Sequence, residues 1–414
     1  MSTRRLAFSH HDKGSIVIEI GRMYTKVGLS GEPAPRHVIR SRVEMKPYGA
    51  LQDVWDPKYL HREELYLILS RFLQNIYLKY LMVPSKDYRV LVVEPLLSPS
   101  HFRNTLARAL FNHFSVPHVA FMPSPLLGTF SLGRQTALVV DIGWLETTVI
   151  PLYEGVPIMS AWQSTSCAAK TVHNTVMECL IETGAITDTH TQEQNPAGTL
   201  GLKELIQGSL EDIIVSTCAV RSMDCDRTPP EVSFPLSQQY TLCLPGPARD
   251  ACAEGLFEEG EGDLSLPSAV LESLLKCPCD CRRDLSENVL VLGGIASLPG
   301  LNYRLKQELE RLAGDKNERF SAKLGALQFK FHQPPAHPST AAWLGGSIFG
   351  TSEVAVLERA VSKEKFREMN QRLPDWTSCD PEQHEQLRPV PTRKLLPAAP
   401  SSLYKSTTKT QSAH

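Results

Sequence analysis

Three apolar residues, an acid, Ile-Gly, three variable positions and Thr-x-Val occur twice in this chain. The copies are "IVIEIGRMYTKVG" (residues 16–28) and "LVVDIGWLETTVI" (residues 138–150), which align without a gap at an offset of 122 residues. Each predicts a buried strand that turns at the glycine and returns as a second strand. A strand–turn–strand repeated at this distance predicts two similar lobes, each opening on a β-hairpin.

Elsewhere the pattern alternates between strands and helices. "LYLILSRFLQNIYLKYLMV" (65–83) places Leu65, Ile68, Leu69, Phe72, Leu73 and Ile76 on one helical face. The same stretch holds Arg71, Gln74, Asn75 and Lys79, so it predicts an amphipathic core helix and not a membrane span. "YRVLVVEPLLSPSHFRNTLARALFNHF" predicts a buried strand, a loop with Pro95 and Pro99, and a helix capped by Ser98 or Ser100. "SCAAKTVHNTVMECLIETG" is expected to be a helix ending near Gly184, and "SLEDIIVSTCAV" another. Residues 221–266 carry enough Pro and Gly to read mostly as loop with short strands. "LPSAVLESLLKC", "ENVLVLGGIASLPG" and "LNYRLKQELERLA" then predict helix, strand with glycine turn, and helix. From Pro374 onward, six prolines and no sustained period predict a flexible tail.

Composition narrows the class. A length of 414 residues exceeds one simple core, and 42% hydrophobic with 21% charged residues is an ordinary globular balance. A formal net charge of −2 supplies no basic field for nucleic acid or anionic lipid. "MSTRRLAFSHHDKG" has no apolar core for a secretory signal, so the ten cysteines are expected to be reduced thiols of the cytosol. "KCPCDCRRD" alternates three cysteines but lacks the C-x₂-C spacing and second pair of a zinc site. "RPVPTRKLLPAAP" could serve as a polyproline-type docking segment, although a solvated tail is the plainer reading.

An acid and a glycine where a buried strand turns suit a phosphate or a hydrated Mg²⁺, yet Trp144 stands where a phosphate wants bare backbone. "GLSGEPAPR", "DIGWLETTVIPLYEG", "KCPCDCRRDLSENVLVLGGIASLPG", "AAWLGGSIFG" and "VSKEKF" occur in the order in which similar segments occur in actins. On these segments the chain resembles the actin family from about residue 16 to 366. The resemblance implies an α/β, ribonuclease-H-like fold with two lobes around a central cleft, and makes "KCPCDCRRD" a helix-to-strand turn. The expected division is a flexible N-terminus (1–14), a first lobe (15–123) with a shortened small subdomain, a second lobe (124–335), a return to the first (336–373) and a flexible tail (374–414).

The same resemblance implies that ATP or ADP with Mg²⁺ sits between the hairpins. Glu19, Gly21 and Lys26 would line the first hairpin's side of that site. Asp141 and Gly143 would line the second, with the pair Gly293 and Gly294 beside them. Lys26 would contact phosphate, or else be a solvated strand charge. Gly293-Gly294 would admit the nucleotide, or else simply end a strand. The family's Ser-Gly in the first turn is Arg22-Met23 here, and its second acid is Trp144. Its histidine near the attacking water is Thr148, its water-positioning glutamine is Ser124, and its Lys-Glu beside the adenosine is Ile214-Val215. Since phosphoryl transfer to water depends on positioning and charge stabilisation, the expectation is nucleotide bound without turnover.

Glu94 lies 63 residues after Gly31, fewer than a conventional actin uses for the excursion whose loop grips the next protomer. The resemblance therefore implies a cytoplasmic, cytoskeletal, non-polymerising subunit at the pointed end of the dynactin filament, docked by its opposite face with "VSKEKF" and the Trp343 region nearby. Its expected partners are actin, actin-related protein 1 and other pointed-end dynactin subunits, with dynein reached indirectly. Neither nucleic acid nor membrane insertion is expected. Two rival readings stay open: an active ATPase or small-molecule kinase on this fold, and a nuclear actin-related subunit of a chromatin-remodelling complex.

Overall fold

A computed structural model describes residues 14–374 except 46–48, 60–62, 200–201, 226, 261–262, 315–318 and 326. The two terminal segments expected to be flexible fall outside the described residues, save Gly14 and Pro374.

The chain opens with β1 (Ser15–Ile20) and β2 (Tyr24–Leu29), followed by β3 (His37–Arg40) and a small hairpin, β4 (Arg42–Met45) and β5 (Ala50–Asp53). Helix α1 (Glu64–Asn75) continues as a π-helical stretch over Ile76–Leu81 and stops at Met82, whose φ of 52° is left-handed. All six apolar positions assigned to its inner face are buried. Next come β6 (Arg89–Glu94), α2 (Ser100–Arg108), β7 (His118–Pro123) and α3 (Ser124–Ser131). The expected serine cap of α2 is not what forms: Pro99 occupies the N-cap position, and the Ser98 hydroxyl donates back to the Pro95 carbonyl at 3.2 Å.

The second half begins with β8 (Ala137–Ile142), β9 (Thr147–Tyr153), β10 (Val156–Pro157) and β11 (Gln163–Thr165). Helix α4 (Ala169–Thr183) ends at Gly184 and leads to β12 (Ala185–Asp188), β13 (Gln194–Pro196) and α5 (Leu202–Thr217). Then follow β14 (Val232–Pro235), β15 (Tyr240–Leu244), α6 (Gly246–Asp250), α7 (Leu266–Lys276) and α8 (Cys279–Ser286). The CPCDC segment was expected to be a helix-to-strand turn. It forms α8 instead, because Cys281 and Leu285 recur at helical spacing and bury against the core. β16 (Val289–Gly293), α9 (Leu301–Gly314), α10 (Ser321–Leu324) and β17 (Phe331–His332) complete this half. The chain then returns through α11 (Ala341–Phe349), α12 (Glu353–Arg359), β18 (Val361–Ser362) and α13 (Lys363–Glu368).

One sheet runs β18-β7-β6-β1-β2-β3, and a second runs β10-β9-β8-β16-β17. The sequence repeat reappears as register. Glu19 faces Lys26 across the first hairpin, and Asp141 faces Thr148 across the second, at the same offset of 122. Alternation sorts the first sheet's side chains: Ile16, Ile18, Val90 and Val92 pack with α1 and α2 residues, whereas Val17, Leu91 and Val93 pack with Leu127 and Trp343. The second sheet uses Leu138, Val140 and Ile142 against α4 and α7, and Val139, Leu290 and Leu292 on its other face. Helices α3 and α11 lie between these inner faces, Leu127 belonging to the first sheet's core and Gly128 abutting Leu292. This is the actin fold, two lobes joined by a shared helical layer. Among the described residues no helix is long and apolar enough to cross a membrane. The nine described cysteines are all free, and no His/Cys/Asp/Glu group among the described residues could hold a metal alone.

Candidate functional site

Both hairpins turn in the same way at the mouth of the cleft. The Gly21 amide donates to the Tyr24 carbonyl at 3.0 Å, and the Gly143 amide donates to the Glu146 carbonyl at 3.0 Å. A Cβ on either glycine would lie 2.7 Å from that same carbonyl oxygen. The turn itself therefore requires glycine, and the glycine amide is spent on closing it. Gly293 adopts a φ of +110°, and a Cβ there would sit 2.0 Å from the Ile142 carbonyl oxygen. It fastens the end of β16 against β8, while Gly294 borders open space.

The charged groups gather where β1 and β8 end. Lys26 pairs with Glu19 Oε1 across the first hairpin, and both side chains are largely buried. Glu19 Oε2 is buried without a hydrogen-bond partner. Burial and then the nearby Glu19 carboxylate push the Asp141 carboxyl up to about 6, although Lys26 and a hydrogen bond from Ser124 pull it down. Ser124 is the first residue of α3 and is buried, with its hydroxyl beside the Asp141 carboxyl.

The remaining expected positions scatter. Arg22 turns away from the cleft, donating to the Trp55 carbonyl at 3.3 Å with its guanidinium 5.1 Å from the Trp55 ring centre. Trp144 packs on the second core and meets His173 edge-on at 4.7 Å between ring centres. The first amides of α4, on Ala169 and Lys170, donate to the Gly143 and Trp144 carbonyls at 3.0 and 2.9 Å. This helix start therefore docks on the second turn and does not offer bare donors to an anion. Ile214 is buried in the core, and Val215 is exposed to solvent.

The site thus fits a nucleotide in halves. An orphan carboxylate oxygen on Glu19, with Asp141 held high by burial and a like charge, is a hard-oxygen pair that a divalent cation would neutralise. Mg²⁺ ordinarily takes one or two carboxylates and completes its shell with water and phosphate, so Glu19 and Asp141 would be enough to hold it. The nucleoside half has no polar side chain at 214–215 to read a base or ribose. Sequence reasoning also passed over Tyr24, Arg40 and Glu211, which meet across the cleft.

A pH prediction follows from Asp141. Its carboxyl titrates higher in the folded chain than in an unfolded one, where the range is near 3.9, so the folded state holds the extra proton. Stability of the ligand-free protein is then greatest on this account below pH 4 and falls as pH rises toward 6. Asp141→Asn keeps the neutral shape and should flatten that fall. At pH 7 it should gain about 1–2 kcal/mol, less than the full shift implies because the residue keeps some cleft-facing surface. Melting curves between pH 4 and 7.5 read this directly. A ligand-free Asn variant less stable than the parent at pH 7 would contradict it.

The comparisons agree with this geometry. The actin family model matches residues 10–374. Actin-related protein 10 of Dictyostelium discoideum is 28% identical over 427 residues, covering 88% of this chain and 89% of that protein. Actin-like protein 7A of Bos taurus is 26% identical, covering 81% of this chain and 77% of its own length. Putative actin-29 of Dictyostelium discoideum is 25% identical, covering 87% and 95%. With a family match over nearly all of its described length, two hairpins in identical register and an acid at the cleft end of each, the chain belongs to the actin family.

Proposed function

We propose that this chain is a non-polymerising actin-related subunit that caps the pointed end of the dynactin filament and so supports dynein-driven transport along microtubules. The observation that carries the proposal is the short excursion between Gly31 and Glu94. Before the chain re-enters the sheet as β6, its described part holds β3, the four-residue strands β4 and β5, α1 with its π-helical end, and a short 3-10 turn at Ser85–Asp87. The small hairpin is drawn onto the first lobe, where Val43, Val54 and Trp55 are buried and Trp55 stacks on Phe102 at 3.8 Å.

The opposite end of the molecule is furnished differently. Strands β1, β6, β7, β8 and β16 all end at the cleft side, so their first residues mark the remote side. On that side a groove of about 530 Å³ is lined by Tyr153, Glu154, Val156, Ile158, Pro278 and Asp280. The Val361–Ser362 strand of "VSKEKF" pairs with the start of β7 on the corresponding side of the first sheet. Trp343, whose region was expected near this docking side, is a core residue whose indole donates to the Val17 carbonyl at 3.1 Å. A terminal filament protomer would seat its gripping loop in the groove, and nothing comparable would be offered onward.

Under this reading Glu19 and Asp141 would face Mg²⁺ and Lys26 the phosphates of ATP or ADP, whose role would be to bridge the lobes. The residues that would position a hydrolytic water are Ser124, Trp144 and Thr148, and the first two are engaged with Asp141 and His173. A cytoplasmic, filament-bound location and contacts with actin, actin-related protein 1 and other pointed-end subunits belong to the same proposal. Tagged protein purified from cells tests it. Dynactin subunits should co-purify, and the isolated chain should release phosphate from Mg-ATP no faster than a heat-denatured control. Recovery with chromatin-remodelling subunits, or saturable phosphate release lost in Asp141→Asn, would overturn it.

A further inference from the structure

Three side chains outside the nucleotide positions meet across the cleft. Tyr24 on β2 and Arg40 on β3 are directly opposite each other in the antiparallel register. The Arg40 guanidinium lies over the Tyr24 ring, 4.6 Å from its centre. Side by side, the two residues present a hydroxyl and a guanidinium to one carboxylate, Glu211, in the middle of α5 on the other lobe. The Tyr24 hydroxyl donates to Glu211 Oε2, and Arg40 Nη1 forms an ion pair with Glu211 Oε1 at 2.9 Å. Each oxygen of the carboxylate therefore has its own partner, and both partners come from the first lobe.

The neighbourhood is organised around this contact. His173 on α4 lies within electrostatic range of both Glu211 and Arg40, and its ring is braced by the edge of Trp144. Trp144 belongs to the second hairpin turn and Tyr24 immediately follows the first, so one cluster touches both jaws of the cleft. Burial and the Glu211 bond raise the Tyr24 hydroxyl well above the ordinary tyrosine range, so it stays a donor at any physiological pH.

We propose that Tyr24, Arg40 and Glu211 form a clamp that holds the two lobes closed across the cleft without a bound nucleotide. The stacked cross-strand pair is set by the β2–β3 register before the lobes meet, so little side-chain freedom remains to be lost on closure. Arg40 and Glu211 stay 39% and 29% exposed, which keeps the contact screened and able to open. Glu211 is thus a positioning residue for lobe closure. The inference stands whether or not the chain caps a filament or holds ATP.

Hydrogen exchange on the ligand-free full-length protein tests it. Glu211→Ala should raise exchange at least tenfold in the two turns, residues 20–26 and 142–147, and leave α7 and β16 unchanged. Tyr24→Phe should raise it in the parent and add nothing in the Glu211→Ala background, because both changes break the same contact. Unchanged exchange in the turns of Glu211→Ala, additive effects of the two substitutions, or a uniform rise over the whole chain would each overturn the clamp.

Discussion

Gly345→Val should leave little soluble protein, and the fraction recovered should melt roughly 10 °C or more below the parent, equivalent to at least about 4 kcal/mol. The reason lies in the helical layer between the lobes. A Cβ on Gly345 would stand 1.9 Å from the Leu127 carbonyl oxygen and 2.5 Å from its carbon, so backbone meets backbone where α11 crosses α3. No rotamer relieves that overlap, and α11 has to move as a body. Its next residue, Gly346, is already confined by Val93 and Val17 at 2.9 and 3.1 Å from an added Cβ, so the movement also unseats the first sheet's inner face. Trp343 goes with it, fully buried and bonded to Val17. Gly208 in α5 is the control, since an added Cβ there meets nothing within 4 Å. Gly208→Ala should stabilise by about 0.5–1 kcal/mol through helix propensity alone. A Gly345→Val protein that melts with the parent would refute the packing described for this layer.

The hairpins, the amphipathic helix at 65–76 and the cleft acids were legible in the sequence because each is written in local spacing. Period 2 with a glycine turn gives the strands, and apolar positions three and four apart give the helix. The clamp was not legible. Tyr24 and Glu211 are 187 residues apart, and seeing Arg40 beside Tyr24 requires the register across the β2–β3 loop. The glycines misled in a different way. Gly21 and Gly143 sit where a phosphate-binding turn would place them, yet their amides close the turn on Tyr24 and Glu146. The short CPCDC helix was hidden by Pro278 and the alternating cysteines, which read as a turn until Cys281 and Leu285 are seen facing the core. Trp343 drew attention as an aromatic near a docking segment, and only burial shows it to be structural.

Assembly is where the account departs most from conventional actin, and the expected effect is all or none. A filament grows when each protomer offers one face and accepts the complementary one; a protomer that has a single usable face ends the chain. Here the remote side carries the groove at Tyr153 and Asp280, and the other side carries a hairpin of two four-residue strands folded onto its own lobe. A net charge of −2 gives little long-range repulsion, so a failure to self-assemble would have to come from the interface.

The most direct measurement is electron microscopy of the gold-labelled full-length chain, alone and mixed with short filaments of actin and actin-related protein 1, in salts that polymerise actin. The expected result is a single label at the pointed end of each filament, no elongation from that end, and no filaments of the chain alone. Labels distributed along the filaments, or filaments built from this chain by itself, would contradict it.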